Sequence, residues 1–255
     1  MLSNIWNTFL YNPLINALAF LVSVVPGGDV GLAVILLTLF VKLILFPLSQ
    51  HQIRNQAAMA ILAPEIDKIK KSGANQEEQA RLTFELYRQH KTNPFSGCLA
   101  IIPTIFVLIA LYQVFIKGIN FDPTLLYSFI SKPENANMMF LGLIDISKKS
   151  FILAVLAAFT QYLQVHFMPQ PPALKSEDKD SMQANFSRGM YTNMKYGFPV
   201  LIFVILYTDF MGISLSGAVA LYFITSNLFA IAQQIYVKKT EKKELAAEAA
   251  GIVIK

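Results

Sequence analysis

The sequence predicts an all-α polytopic membrane protein with five transmembrane helices, its N-terminus outside and its C-terminus inside. Three observations carry this. The chain is 55% hydrophobic and only 15% charged, whereas an ordinary soluble domain carries about a quarter charged residues. Five apolar stretches, residues 30–48, 99–116, 151–167, 196–211 and 218–237, come close to the roughly 20 residues that a spanning helix needs. Lysine and arginine crowd into alternate connections, which is the pattern that sets orientation.

Residues 1–29 precede the first span. The apolar run 14–25 is a dozen residues, too short to cross. Asn4, Thr8, Asn12 and Asn16 recur every four residues and would lay a polar stripe along one helical face; Asn12 before Pro13 suits a helix start. The reading is an amphipathic helix lying in the outer interface. A cleaved signal peptide with Ala17-Leu18-Ala19 at its end is the alternative, but no Lys or Arg precedes the apolar run.

The first span covers residues 30–50. A cytoplasmic helical hairpin follows over 51–95. Ile61, Leu62, Ile66 and Ile69 fall at helical spacing, and Pro64 kinks that helix or restarts it. "KSGAN", residues 71–75, makes the turn, with Asn75 and Glu78 as cap and N3 acid. The second hairpin helix runs to about His90 and stops before Asn93-Pro94.

The second span is 96–117, an extracytoplasmic loop fills 118–149, and the third span is 150–168. A Pro-rich, charged cytoplasmic loop occupies 169–195. The fourth span, 196–212, is the shortest and carries Asp209 late. The fifth is 216–237, and residues 238–255 form a basic cytoplasmic tail. Arg54, Lys68, Lys70, Lys71, Arg81, Arg88 and Lys91 lie after the first span. Lys175, Lys179, Arg188 and Lys195 lie after the third, and Lys238, Lys239, Lys242 and Lys243 after the fifth. The other side holds Lys117, Lys132, Lys148 and Lys149. That bias puts the N-terminus out and the C-terminus in, as an odd number of spans requires.

Several chemistries are missing. His51, His90 and His166 stand apart, and Cys98 is the single cysteine, so no metal-ligand pattern forms. There is no Gly-rich phosphate loop and no GxSxG elbow. No span carries a carboxylate at mid-depth, which removes the usual part of an ion relay. The sequence predicts no catalytic residue, no cofactor, no metal and no nucleic-acid site.

What stands out is Lys42 within "LTLFVKLILFPL". A lysine at a helix centre costs roughly 2.5–3.5 kcal/mol on insertion scales. It lies about 18 Å along the helix from Val30, in the inner half of the span. Gln113 and Thr104 in the second span, Thr160, Gln161 and Gln164 in the third, and Thr225, Ser226, Asn227, Gln233 and Gln234 in the fifth add uncharged polar groups. Two readings follow. Lys42 snorkels to the inner headgroups while the others make ordinary interhelical hydrogen bonds. Alternatively, they converge on an intramembrane polar groove. Spacing does not choose between these.

Three stretches resemble a known family. "GLAVILLTLFVKLILFPLSQHQIRNQ" (31–56), "NPFSGCLAIIPTIFVLIALY" (93–112) and "LYFITSNLFAIAQQ" (221–234) are similar, in order and spacing, to core segments of the YidC-type membrane protein insertases of bacteria, mitochondria and chloroplasts. The resemblance covers essentially the whole chain. It implies five spans around a hydrophilic groove open to cytoplasm and lipid and closed outside, in a bacterial inner membrane. It implies clients that are nascent membrane proteins, contact with membrane lipids, and the Sec translocon and the ribosome as candidate partners.

By this resemblance Lys42 takes the place of the family's groove arginine, keeping the charge without the planar fork. The groove then gathers Lys42, Gln113, Thr160, Gln161, Gln164, Ser226, Asn227 and Gln233. Ala100 replaces a frequent proline, and Thr104 and Phe106 stand where the family has glutamine and proline. Two rival functions are a partner-dependent chaperone subunit of a larger translocon and a small solute transporter.

Overall fold

The computed structural model describes residues 6–90, 92, 101–116, 121–168, 188–209 and 215–249. The expected hairpin exit at Asn93-Pro94, Cys98, Ala100, most of the loop 169–195 and the chain end from residue 250 lie outside the described residues, as does the Thr104 side chain. The chain is mostly helical and divides into two compact units. One comprises Met1–Leu45, Ile102–Leu163 and Phe198–Phe229; the other comprises Phe46–Ile101, Gln164–Gly197 and Ala230–Lys255.

In the first unit a π-helical turn, Asn7–Tyr11, runs straight into α1 (Asn12–Val24). Pro13, in the first turn of α1, has no N–H to continue the ladder, and the π-turn that precedes it ends with the Asn12 N–H on the Asn7 carbonyl. Because the turn and the helix are continuous, Asn7–Val24 makes an 18-residue apolar segment long enough to cross a membrane. Of the expected polar stripe, Asn16 faces inward while Thr8 is exposed. Asn16 is buried; its amide donates to the carbonyls of Asn12 (2.8 Å) and Leu125 (2.9 Å), and its oxygen accepts from the Tyr127 N–H (2.7 Å). Phe9, Phe20 and Val24 are exposed instead. Spacing located a polar face, but the loop backbone at 125–127 supplied its partners.

Helix α2 (Val30–Ile44) starts at Asp29, whose Oδ1 accepts from the Leu32 N–H at 3.1 Å, an ordinary N-cap. It ends at Leu45, before Leu48. Pro47 has no N–H for the Leu43 carbonyl and its ring crowds that turn, so the helix breaks there. Leu18, Ala19 and Val22 of α1 pack on Val30, Ala33, Val34 and Leu37 of α2. The connection 121–150 adds a short turn Pro123–Leu125 and a two-stranded antiparallel hairpin, β1 (Met139–Phe140) and β2 (Ile144–Asp145). The Ser147 hydroxyl, then Lys148, holds the Asp145 carboxyl below the usual carboxylate range.

Helix α6 (Ile101–Ile116) falls in the expected second span, α7 (Phe151–Phe167) in the third, and α8 (Phe198–Tyr207), which a π-helical turn at Asn193–Gly197 leads into, in the fourth. Helix α9 (Gly217–Ala249) is the longest. In the first unit α7 and α9 run parallel. Gly217 at the start of α9 sits against Leu153, and ten residues on Asn227 reaches Thr160. Gly217 also donates to the Lys148 carbonyl (2.8 Å), and a Cβ there would meet backbone at 3.1 Å, so the close approach favours glycine. Lys149 pairs with Asp209, and Phe151 touches Phe203 and Tyr207, joining the ends of α7 and α8. By length and composition, Asn7–Val24 and Gly217–Thr240 can each cross a membrane. Val30–Ile44 with Phe46–Met59 makes a third span if counted as one broken helix.

The second unit holds α3 (Phe46–Ile61), α4 (Ala63–Lys71) and α5 (Gln76–Gln89). Pro64 restarts the helix, and this break leaves Ile61 exposed although it shares the apolar spacing. Gly73, with φ +75°, turns the chain, and the Asn75 side chain caps α5 by accepting from the Glu78 N–H at 2.8 Å. Leu62, Ile66 and Leu86 form a small core flanked by Ile69 and Tyr87, so α4 packs on α5 as a hairpin. Burial pushes the Tyr87 phenol up.

Candidate functional site at Lys42

Lys42 lies in the last turn of α2, four residues after Thr38 and hence on the same face. Val41 and Leu45 form the neighbouring row. Val107 of α6 and Tyr222 of α9 close a narrow cleft over them, with about 10 Å³ of water-accessible space, enough for about one water. Lys42 is half-buried, while Phe40, Leu43 and Ile44 beside it are exposed and apolar. The lysine thus stands between the exposed apolar stripe of its helix and the cleft. Among the described residues no hydrogen bond or ion pair engages its ammonium.

Besides Lys42, two polar residues line the otherwise apolar cleft, Thr38 on the same helix face and Tyr222 across from it. Thr38 is buried and donates its hydroxyl proton to the Val34 carbonyl at 2.7 Å, which leaves the oxygen as an acceptor. Tyr222 is only 2% exposed, and its phenol is hydrogen-bonded to Ser226 one turn further along α9. A cation, a hydroxyl oxygen and a phenol therefore meet in one slot. Such a set can bind a carboxylate or a polar backbone group and offers no nucleophile or metal site; no cluster of metal-ligating side chains occurs among the described residues.

The polar residues expected in the groove take different positions. Ser226 joins the cleft through Tyr222. Thr160 and Asn227 are buried and bonded to each other at 3.3 Å, with Thr160 also donating to the Ala157 carbonyl. Gln161, beside Thr160, is buried as well. Gln113 is committed elsewhere: its Oε1 accepts from the Trp6 indole N–H at 3.0 Å, and the same indole lies against Phe106. Gln164 and Gln233 belong to the second unit. There Gln233 donates to the Phe46 carbonyl (3.2 Å) and the Ser49 hydroxyl (3.0 Å), supporting the first turn of α3. Thr38 and Tyr222 were not singled out from sequence. The available signal was spacing alone: Thr38 is one turn before Lys42, and Tyr222 one turn before Ser226.

The chain matches the family model described as "60Kd inner membrane protein" over residues 20–244. This chain belongs to that family. The 60Kd inner membrane proteins are bacterial inner-membrane proteins, and the localisation of this chain follows. It is similar to proteins named "Membrane protein insertase YidC". The relative from Fusobacterium nucleatum is 31% identical over 235 residues, covering 91% of this chain and 98% of the relative. The one from Clostridium tetani is 31% identical over 224 residues, 87% of each. The one from Magnetococcus marinus is 31% identical over 242 residues, 94% of this chain but 37% of that longer protein. The similarity therefore takes in nearly all of one short relative and about two fifths of a long one.

Proposed function

We propose that this chain is a membrane protein insertase that inserts and helps fold nascent membrane proteins, with Lys42 holding the acidic or polar outer segment of a client inside the membrane. The observation that carries the reading is a cation with no partner among the described residues, half-buried beside a narrow, mostly apolar cleft that Thr38 and Tyr222 also line. Two unit charges about 4 Å apart interact by roughly 4 kcal/mol at an effective dielectric near about 20. Water in the cleft weakens this, which suits a site that must release what it binds. The client's apolar helix, passing into lipid, supplies the driving force. No nucleotide or cofactor enters the scheme.

The fold belonging to this function has five spans, N-terminus out, at residues 30–50, 96–117, 150–168, 196–212 and 216–237. The parallel course of α7 and α9 supports it, because a parallel pair needs a returning element between them and α8 occupies that place. The groove extends from Lys42 through Tyr222 and Ser226, with the buried Thr160–Asn227 pair lowering the cost of polar groups at depth. The hairpin of α4 and α5 receives clients at the cytoplasmic side, with the Sec translocon and the ribosome as candidate partners.

Photocrosslinkers placed at Val41 and Val107, which line the cleft, test this in membranes carrying a stalled single-span client. Adducts with the client at both positions, and lipid adducts alone at the exposed Phe20, are the expected result. Lipid adducts alone at Val41 and Val107 would overturn the groove.

A further inference from the structure

The outer hairpin has a feature that the cleft does not use. Its connection is a tight turn closed by the Leu143 N–H on the Phe140 carbonyl at 3.0 Å. Both central residues have positive φ, Leu141 at +52° and Gly142 at +70°. Turns of this kind take asparagine, aspartate or glycine at the first central position, because a branched side chain there crowds its own backbone. A leucine in that place is a local cost that turn formation does not explain. Its side chain is 58% exposed, and the next residue but one, Leu143, is 79% exposed. From Met139 to Ile144 the sequence carries no charge.

The hairpin is also held at a definite level. The Leu141 N–H donates to Asp29 Oδ2 at 2.7 Å, and Asn137 exchanges two backbone bonds with Gly28 and Val30 (2.9 and 3.0 Å). Phe140 lies so close to Gly31 that a Cβ there would stand 2.4 Å from the ring. These contacts fix the hairpin against the first turn of α2, the helix whose exposed residues further along, Leu36 and Phe40, are apolar. If α2 enters the membrane at its first turn, the uncharged tip lies at the outer boundary of the hydrocarbon and not out in bulk water.

We infer that the Leu141–Gly142–Leu143 tip is a lipid-contacting anchor, seating its two leucines in the headgroup–acyl boundary of the outer leaflet. Apolar side chains at that boundary gain from burial without any specific headgroup. The clamp to Asp29 keeps the tip from turning away. The anchor fixes the depth of the outer cap and of the start of α2, independently of any client. Asp145 and Lys148, the next charges along the chain, pair with each other at 3.1 Å.

The test is site-directed spin labelling of the full chain in vesicles of phosphatidylethanolamine and phosphatidylglycerol, in a Cys98→Ser background. Labels go on Leu143→Cys and, as a second tip position, Leu141→Cys; Lys132→Cys, exposed in the same loop, is the control. The expected result is that oxygen relaxes the tip labels several-fold more than a water-soluble nickel complex does, with the order reversed at Lys132. Nickel relaxing the Leu143 label as strongly as the Lys132 label would overturn the inference by leaving the tip in water. A Leu143 label screened from both agents would also overturn it, since protein and not lipid would then cover the tip.

Discussion

Helix α2 is flanked by one charge at its start and carries another in its last turn, and their surroundings are opposite. Asp29 is 6% exposed and fully engaged: one carboxylate oxygen caps the helix at Leu32, the other holds the outer hairpin at Leu141. Lys42, about three turns inward, meets no acceptor among the described residues and faces a cleft. A buried charge whose hydrogen bonds are internal is part of the fold. One whose bonds are left unmade weakens the fold and is available to a ligand. Under the proposed function, the first turn of this helix is built to stay shut and its last turn to bind and let go.

The contrast gives graded expectations. Removing the engaged charge has the largest effect on stability. Asp29→Ala deletes a cap and orphans the Leu141 N–H, so unfolding in detergent is expected to shift by about 2–4 kcal/mol. A loss below about 0.5 kcal/mol would show that Asp29 is not the clamp. Lys42→Leu goes the other way. Stability is expected to hold or rise by up to about 1 kcal/mol, because a charge inside the membrane is removed and no bond is lost. A marked loss would mean that the lysine has a structural partner after all. Asn227→Ala, which breaks the bond to Thr160, is expected to cost only about 0.6 kcal/mol, the usual scale for a polar contact between helices in a membrane. Thermal denaturation of the three variants in the same lipid would rank them.

Much of this was readable from sequence where the physics is local. The turn at "KSGAN" and the Asn75 cap depend on residues within a few positions of one another, and both formed as expected. Apolar spacing located α4 and α5, and the single cation in an apolar run located the cleft. What was not readable depends on partners far along the chain. Asn16 meets the backbone at 125 and 127, and Gln113 meets Trp6. In a helix, spacing tells which residues share a face but not what that face will touch. The inward turn of Asn16 and the commitment of Gln113 to the N-terminal tryptophan follow from that. Thr38 was missed because a threonine in an apolar helix usually bonds its own backbone, as this one does; only the neighbouring lysine gives it a second role.

The most direct measurement is insertion in proteoliposomes, with a single-span client bearing an acidic outer tail, scored by protease protection. The unaltered chain, Lys42→Ala and Lys42→Arg would be compared at equal, folded amounts. Insertion that depends on the chain, falls at least about tenfold with alanine, equivalent to about 1.4 kcal/mol, and is retained with arginine is the expected result. Alanine inserting as well as the unaltered chain would contradict the central role of the Lys42 charge.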